Sequence, residues 1–81
     1  MKKINKKENL KKKKLDIHSS AFVHPNANIH DGVKIGQGAI IGSDVTIASG
    51  TNVGPNAVIE GKTTIGRNNI IFPNAFIGLE P

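Results

Sequence analysis

The chain has 81 residues, no cysteine and a formal net charge of +5. This length limits it to one small domain, which would bury only about 60% of its unfolded surface if it folded alone. The absence of cysteine excludes a disulfide framework and a Cys-ligated zinc site.

The basic excess lies entirely at the amino-terminal end. Residues 1–14 hold eight Lys and one Glu, whereas the remaining residues hold three Lys or Arg against five Asp or Glu. The chain has no Trp, no Tyr and three Phe, so it has few of the aromatic side chains on which single-stranded nucleic acids stack their bases. The composition therefore disfavours a nucleic-acid partner.

Residues 1–14 are predicted to form a disordered, Lys-rich tail. Beyond Met1, only Ile4 and Leu10 are apolar there, which is too few to offset the entropy of ordering. The tail has neither the apolar run of a secretory signal nor the Arg- and Ser-rich composition of a transit peptide. Because no long apolar segment follows, we expect no membrane span and a cytoplasmic location.

Residues 15–81 are predicted to form an all-β fold, a parallel β-helix. Aliphatic residues recur there at a strict interval of six, at Ile17, Val23, Ile29, Ile35, Ile41, Ile47, Val53, Ile59, Ile65, Ile71 and Ile77. A hexapeptide period is typical of a solenoid in which each repeat forms one short strand and then turns. Three repeats close one triangular coil, so the chain makes about 3.7 coils in which residues eighteen apart stack.

This stacking sorts the aliphatic residues into three ladders. The first holds Ile17, Ile35, Val53 and Ile71; the second holds Val23, Ile41, Ile59 and Ile77; and the third holds Ile29, Ile47 and Ile65. The residue two positions before each aliphatic is mostly small, which suits a tight corner. The residue three positions after it is mostly Gly, Asn or Asp. Because these types tolerate positive φ, we expect a turn there in each repeat.

The repeats resemble those of the hexapeptide-repeat acyltransferase superfamily, through the pairs Ile35-Gly36, Ile41-Gly42, Val53-Gly54, Ile65-Gly66 and Ile77-Gly78. This resemblance implies that the β-helix is left-handed. Residues 22–27 (Phe-Val-His-Pro-Asn-Ala) and residues 60–81 further resemble the start of the acyl-carrier-protein:UDP-N-acetylglucosamine O-acyltransferases. Those enzymes catalyse the first step of lipid A biosynthesis.

The resemblance implies transfer of a 3-hydroxyacyl group from acyl carrier protein to the 3-hydroxyl of UDP-N-acetylglucosamine. It also implies a homotrimer with active sites between subunits, and no cofactor. In this family a His acts as the general base, and that His and a substrate-contacting Gln-Asp-Leu-Lys-Tyr segment would both lie beyond Pro81. We therefore expect residues 1–81 to be the N-terminal part of a longer enzyme. We expect this part to hold no catalytic, cofactor-binding or metal-ligating residue and to be inactive alone.

Three equally spaced histidines, His18, His24 and His30, raise the hypothesis of a zinc site. Residues six apart lie on adjacent faces of the triangular coil, so their rings diverge. They cannot then close a tetrahedral shell at about 2.0 Å from one ion. We interpret the three histidines as turn or surface residues of the first coils.

Acidic and aromatic residues are the other candidates for function. Asp31, Asp44 and Glu60 lie at different offsets from the aliphatic residue of their repeat, which favours solvated surface charge over an acid–base pair. Phe72 and Phe76 interrupt an Asn-rich region. We interpret them as packing residues or, where they point outward, as residues of a subunit contact in a trimer.

Alternative functions stay open. UDP-3-O-acyl-glucosamine N-acyltransferases and sugar O-acetyltransferases that use coenzyme A share the same fold. A non-catalytic β-solenoid, such as an ice-binding or scaffold module, belongs to a different class. An ice-binding face needs a regular array of Thr, and we expect no threonines stacked one coil apart here.

Overall fold

The computed structural model of the protein describes residues 14–78. The predicted disordered tail, residues 1–14, lies outside this range except for Lys14. Within the range, no helix has the length and apolar character needed to cross a membrane. Eleven short strands are formed instead: β1 (Asp16–Ile17), β2 (Phe22–Val23), β3 (Asn28–Ile29), β4 (Lys34–Ile35), β5 (Ile40–Ile41), β6 (Val45–Ile47), β7 (Asn52–Val53), β8 (Val58–Ile59), β9 (Thr63–Ile65), β10 (Ile70–Ile71) and β11 (Phe76–Ile77).

The strands stack into three parallel sheets, as expected for a coil with three faces. The first sheet has the order β1-β4-β7-β10, the second β2-β5-β8-β11 and the third β3-β6-β9. Each residue pairs with the residue eighteen positions later, as Ile17 does with Ile35 and Val23 does with Ile41. The remaining pairs follow the same register, so all three predicted ladders are confirmed.

The inner residues of the strands build the core between the sheets. Ile41, Ile47 and Ile59 are fully buried, and the small residues Ala39 and Ala57 are buried with them at the corners. Stiff β-branched side chains pack well on such pleated surfaces. Each fully buried aliphatic side chain contributes roughly 1.5–3 kcal/mol, so the core ladders are the main source of stability.

Burial decreases from the middle of the solenoid toward its ends. Ile41 is fully buried, whereas Ile17 in β1 is 37% exposed. At the other end, Ile71 and Ile77 are half-buried. Because each coil of a solenoid contacts only its neighbours, the outermost described coils have a neighbour on one side only.

Positive φ occurs at all three corners, and in the predicted turn column it occurs at two of them. Between the third and first sheets it is adopted by Gly32, Gly50 and Asn68, and between the first and second sheets by Gly38, Asn56 and Asn74. Their backbone N–H groups donate to the neighbouring coil, as in the 2.8 Å bond from Asn56 to the carbonyl of Gln37. The predicted turn column is confirmed at these two corners.

The corner between the second and third sheets differs from the other two in the φ angles of its turn column. Asn26, Asp44 and Lys62 occupy the expected turn column there but do not have positive φ. Strands β6 and β9 begin one residue earlier than the other strands, at Val45 and Thr63. Positive φ is found at this corner at Gly61 and Gly78 instead (78° and 82°). The turn predicted at Asn26 and Asp44 is formed without it.

The expectation that no threonines stack one coil apart is wrong. Thr46 and Thr64 are eighteen residues apart and are register partners in the third sheet. The third member of their outward column is Asn28, which pairs with Thr46. The column therefore holds two adjacent threonines in single file, which is less than the flat array that an ice-binding face needs.

Candidate functional site

The three sheets differ in the side chains that they turn outward. In each two-residue strand the second residue points into the core, so the first points to solvent. The first sheet presents Asp16, Lys34, Asn52 and Ile70; the second presents Phe22, Ile40, Val58 and Phe76; and the third presents Asn28, Thr46 and Thr64. The three faces of one small prism thus have different chemistry.

A shallow depression on the first sheet gathers several polar side chains. It measures about 250 Å³ and is lined by Asp16, His18, Lys34, Ile35, Gly36 and Asn52. Asp16 and Lys34 are register partners on neighbouring strands, where opposite charges stabilise a sheet by roughly 0.2–1 kcal/mol. The four polar residues of the lining are all exposed, so this surface lacks the enclosure in which a small-molecule site excludes water.

Two of the three histidines, His18 and His24, accept hydrogen bonds across turns. Nδ1 of His18 accepts a 3.0 Å hydrogen bond from the backbone N–H of Ser20, and Nδ1 of His24 accepts the same bond from Asn26. His18, His24 and His30 each follow a strand of a different sheet. In the described part of the chain, no group of three or more His, Cys, Asp or Glu residues is arranged to hold a metal ion.

Sequence reasoning missed these imidazole bonds. The residue two positions after each bonded histidine is Ser20 or Asn26, and the histidine accepts the N–H of that residue across a tight turn. An acceptor side chain that bonds the backbone two residues later is the known behaviour of Asn and Asp in turns. A histidine two residues before Ser or Asn at a corner was the sequence feature from which these hydrogen bonds could have been predicted.

The acidic residues are placed at corners, apart from one another. Asp31 and Asp44 are exposed and Glu60 is half-buried. The Asp31 carboxylate accepts a hydrogen bond from the backbone N–H of Lys14, and the carbonyl of Lys14 accepts one from Gly32 at 3.1 Å. Asp31 thus fastens the start of the first coil to the second, which is a structural role.

The two C-terminal phenylalanines point outward. Phe72 is 71% exposed and Phe76 is 68% exposed, so the interpretation of these residues as packing residues of the core is wrong. Phe72 lies at the corner after β10, whereas Phe76 lies on the second sheet. The alternative interpretation places these two side chains in a contact between subunits, and such a contact requires side chains that point outward.

Thr51 is the buried polar side chain of the described core. Its hydroxyl donates to the carbonyl of Gly66 at 2.7 Å and accepts from the backbone N–H of Asn69 at 3.1 Å. Both partners lie in the following coil. Thr51 therefore ties two coils together, and its role is structural.

Comparison with known families agrees with this geometry. The family model described as bacterial transferase hexapeptide (six repeats) matches residues 16–49, which begin at β1 and end after β6. No curated protein matches the chain significantly. The match supports a transferase of the hexapeptide-repeat superfamily, and the fold described above is the left-handed parallel β-helix of such repeats.

Proposed function

We propose that the chain is the N-terminal part of an acyltransferase that moves an acyl group from acyl carrier protein to the 3-hydroxyl of UDP-N-acetylglucosamine. The hexapeptide-repeat match over residues 16–49 supports a transferase. The specific reaction is supported by the resemblance of residues 22–27 and 60–81 to the O-acyltransferases of lipid A biosynthesis.

The observation that carries the proposal is the unbroken register. Every coil from Ile17 to Ile77 keeps eighteen residues, with no inserted loop between the paired strands. A catalytic β-helix needs such a scaffold because its reacting groups must be held to within a fraction of an ångström by rigid elements. In this proposal residues 14–78 are scaffold, and the general base is supplied by later repeats.

We also propose that the enzyme works as a homotrimer in the cytoplasm. The resemblance to the O-acyltransferases supports active sites that lie between subunits. The exposed first-sheet depression around Asp16 and Lys34 is in this proposal a surface feature and does not take part in the reaction.

The product of the complete reading frame that encodes these residues should transfer a 3-hydroxyacyl group from acyl carrier protein to UDP-N-acetylglucosamine. Three further assays, each with one component replaced, discriminate the alternatives. The first uses the amine of UDP-3-O-acyl-glucosamine as the acceptor, the second uses acetyl-coenzyme A as the donor, and the third uses the 81-residue chain alone as the enzyme. We expect turnover only with the carrier-protein donor and the hydroxyl acceptor, and none from the isolated chain. Turnover by the isolated chain, or a preference for either alternative substrate, would reject the proposal.

A further inference from the structure

Ser20 and His18 form a hydroxyl–imidazole pair at the corner between β1 and β2. The Oγ atom of Ser20 lies 2.9 Å from Nδ1 of His18. Both side chains are exposed, and His18 also lines the depression on the first sheet. A small molecule in solution can therefore reach the pair, and neither side chain is used in the proposed transfer to the sugar.

Two backbone N–H groups determine which atom of the pair donates. The N–H of Ser20 donates to Nδ1 of His18 at 3.0 Å, so this nitrogen carries a lone pair and the ring proton is at Nε2. The N–H of Gly38, in the next coil, donates to Oγ of Ser20 at 3.0 Å. The Ser20 hydroxyl accepts that bond and directs its own proton at the lone pair of His18.

Neither the turn nor the contact between coils requires a hydroxyl at this corner. At the next corner, Nδ1 of His24 accepts the same 3.0 Å bond from the N–H of Asn26, although Asn26 carries an amide. One coil after Gly38, the N–H of Asn56 donates to the backbone carbonyl of Gln37 at 2.8 Å. The distinctive feature of the first corner is a hydroxyl held between an N–H donor and an imidazole lone pair.

This arrangement is the one in which a serine becomes a nucleophile. An adjacent neutral imidazole activates the hydroxyl by removing its proton as the oxygen attacks. The N–H of Gly38 favours this step, because a hydrogen bond to an oxygen stabilises the negative charge that develops on it. The pair therefore has a nucleophile, a base within 2.9 Å of it and a donor to the reacting oxygen.

We propose that Ser20 is a self-acylation site, which takes an acyl group from an activated ester such as a thioester. Oγ attacks the carbonyl carbon and forms a C–O bond, while Nδ1 of His18 takes the hydroxyl proton. The bond from the carbonyl carbon to the leaving group then breaks, and the proton passes to the departing thiolate or phenolate. The bond from the Ser20 N–H to Nδ1 is lost while the imidazole is charged and re-forms afterwards. The product is an acyl-serine, which is a stoichiometric modification and not turnover.

Peptide mass spectrometry of the full chain treated with p-nitrophenyl acetate tests the proposal without acyl carrier protein or a sugar nucleotide. Neutral hydroxylamine separates the products, because it cleaves acetyl esters of serine and leaves acetylated lysines intact. Ser43 is the internal reference. It is exposed, and among the described residues its hydroxyl has no imidazole partner.

We expect Ser20 to be acetylated at least about 100-fold faster than Ser43, which is the lower end of the effect of a positioned general base. His18→Asn removes the base but supplies a side-chain oxygen that can accept the backbone N–H two residues later. In this variant the rate at Ser20 should fall close to that at Ser43. His24→Asn makes the same change at the next corner and should leave the rate at Ser20 unchanged. A circular dichroism spectrum of each variant establishes that it is folded.

Three results would overturn the inference. The first is equal acetylation of Ser20 and Ser43 in the wild-type chain, a comparison that needs no variant to fold. The second is undiminished acetylation of Ser20 in His18→Asn, which would show that the imidazole is not the base. The third is an equal loss in His18→Asn and His24→Asn, which would assign the effect to the shape of the corners. All three leave transfer to UDP-N-acetylglucosamine as a separate question with its own assay.

Discussion

The hydroxyl of Thr51 accepts a hydrogen bond from the backbone N–H of Asn69, one coil further along the chain, at 3.1 Å. The same hydroxyl donates to the carbonyl of Gly66 at 2.7 Å. One buried side chain therefore satisfies a donor and an acceptor of the next coil at the corner where the third sheet passes into the first.

Replacing Thr51 by Val tests this pair of bonds. Val keeps the shape of Thr but leaves the Gly66 carbonyl and the Asn69 N–H without this partner, so we expect the free energy of unfolding to fall by about 1–2 kcal/mol. Urea unfolding followed by circular dichroism measures the change. Thr46→Val is the control, because Thr46 points outward on β6, and it should stay within about 0.5 kcal/mol of the wild type. Equal stabilities for the two variants would contradict the role of Thr51.

Gly54 has no room for a side chain. A Cβ added there would lie 2.7 Å from the backbone nitrogen of Pro73 and 2.9 Å from the carbonyl oxygen of Ile71. Because both atoms are backbone of the next coil, Gly54→Ala should force the coils apart and cost about 1–3 kcal/mol. Thermal unfolding provides the measurement.

The control for Gly54→Ala is Gly66→Ala. Gly66 also follows the core aliphatic of its repeat, but among the described residues an added Cβ would meet only the Nδ2 atom of Asn69, at 3.4 Å. We expect this variant to be neutral or slightly more stable, since Ala reduces the conformational freedom of the unfolded chain. A Gly66→Ala variant as unstable as Gly54→Ala would show that close coil contact is not the cause.

Asn56 adopts a φ of 62° at the corner between the first and second sheets. Asn56→Ala should cost about 1 kcal/mol, because Ala pays the full steric penalty of the left-handed region. Asn56→Gly should be close to neutral, since Gly has no such penalty. Asn26 lies in the same column of the repeat without positive φ, so Asn26→Ala is expected to be milder. The prediction fails if Ala and Gly at position 56 unfold at the same urea concentration.

Position along the solenoid should set the cost of removing a core isoleucine. Ile41 is fully buried and Ile17 is 37% exposed. We expect Ile41→Ala to cost about 2–5 kcal/mol through the cavity that it leaves, which is enough to unfold a marginal domain. Ile17→Ala should cost clearly less, because its surroundings are already open to water. The order of the two midpoints in urea checks this, and a reversed order would refute it.

Much of the fold could be predicted because it is determined by the six-residue interval between the core aliphatic residues. An interval of six with three faces places Ile17 on Ile35 and Ile35 on Val53 without any knowledge of propensities. The period does not contain the local turn chemistry, so it did not predict that Asn26, Asp44 and Lys62 lack the positive φ of Gly32, Gly38 and Asn56 in the same column. The hydrogen bonds of Thr51, His18 and His24 depend on single hydroxyl and imidazole atoms, which no repeat pattern specifies.

The outward faces of the sheets were less predictable than the core. The core residues dominate the sequence pattern, and the outward residues stand between them. A single outward column emerges only when every third repeat is superposed, and it consists of Phe22, Ile40, Val58 and Phe76. The sequence pattern singles out Phe72 and Phe76, and of these two only Phe76 belongs to this column. The chemical step stays a prediction, since it depends on residues that the resemblance places after Pro81.

The register of eighteen residues also restricts the lengths of the insertions and deletions that the solenoid can accept. Gaining or losing one hexad within this solenoid would keep the core alternation intact, yet every later repeat would rotate by one face, and Phe76 would no longer stand in line with Phe22. Changes of three hexads would preserve both. Insertions or deletions of six residues should therefore be compatible with the fold. Where a partner binds one particular face, only insertions or deletions of eighteen residues should be compatible with binding as well.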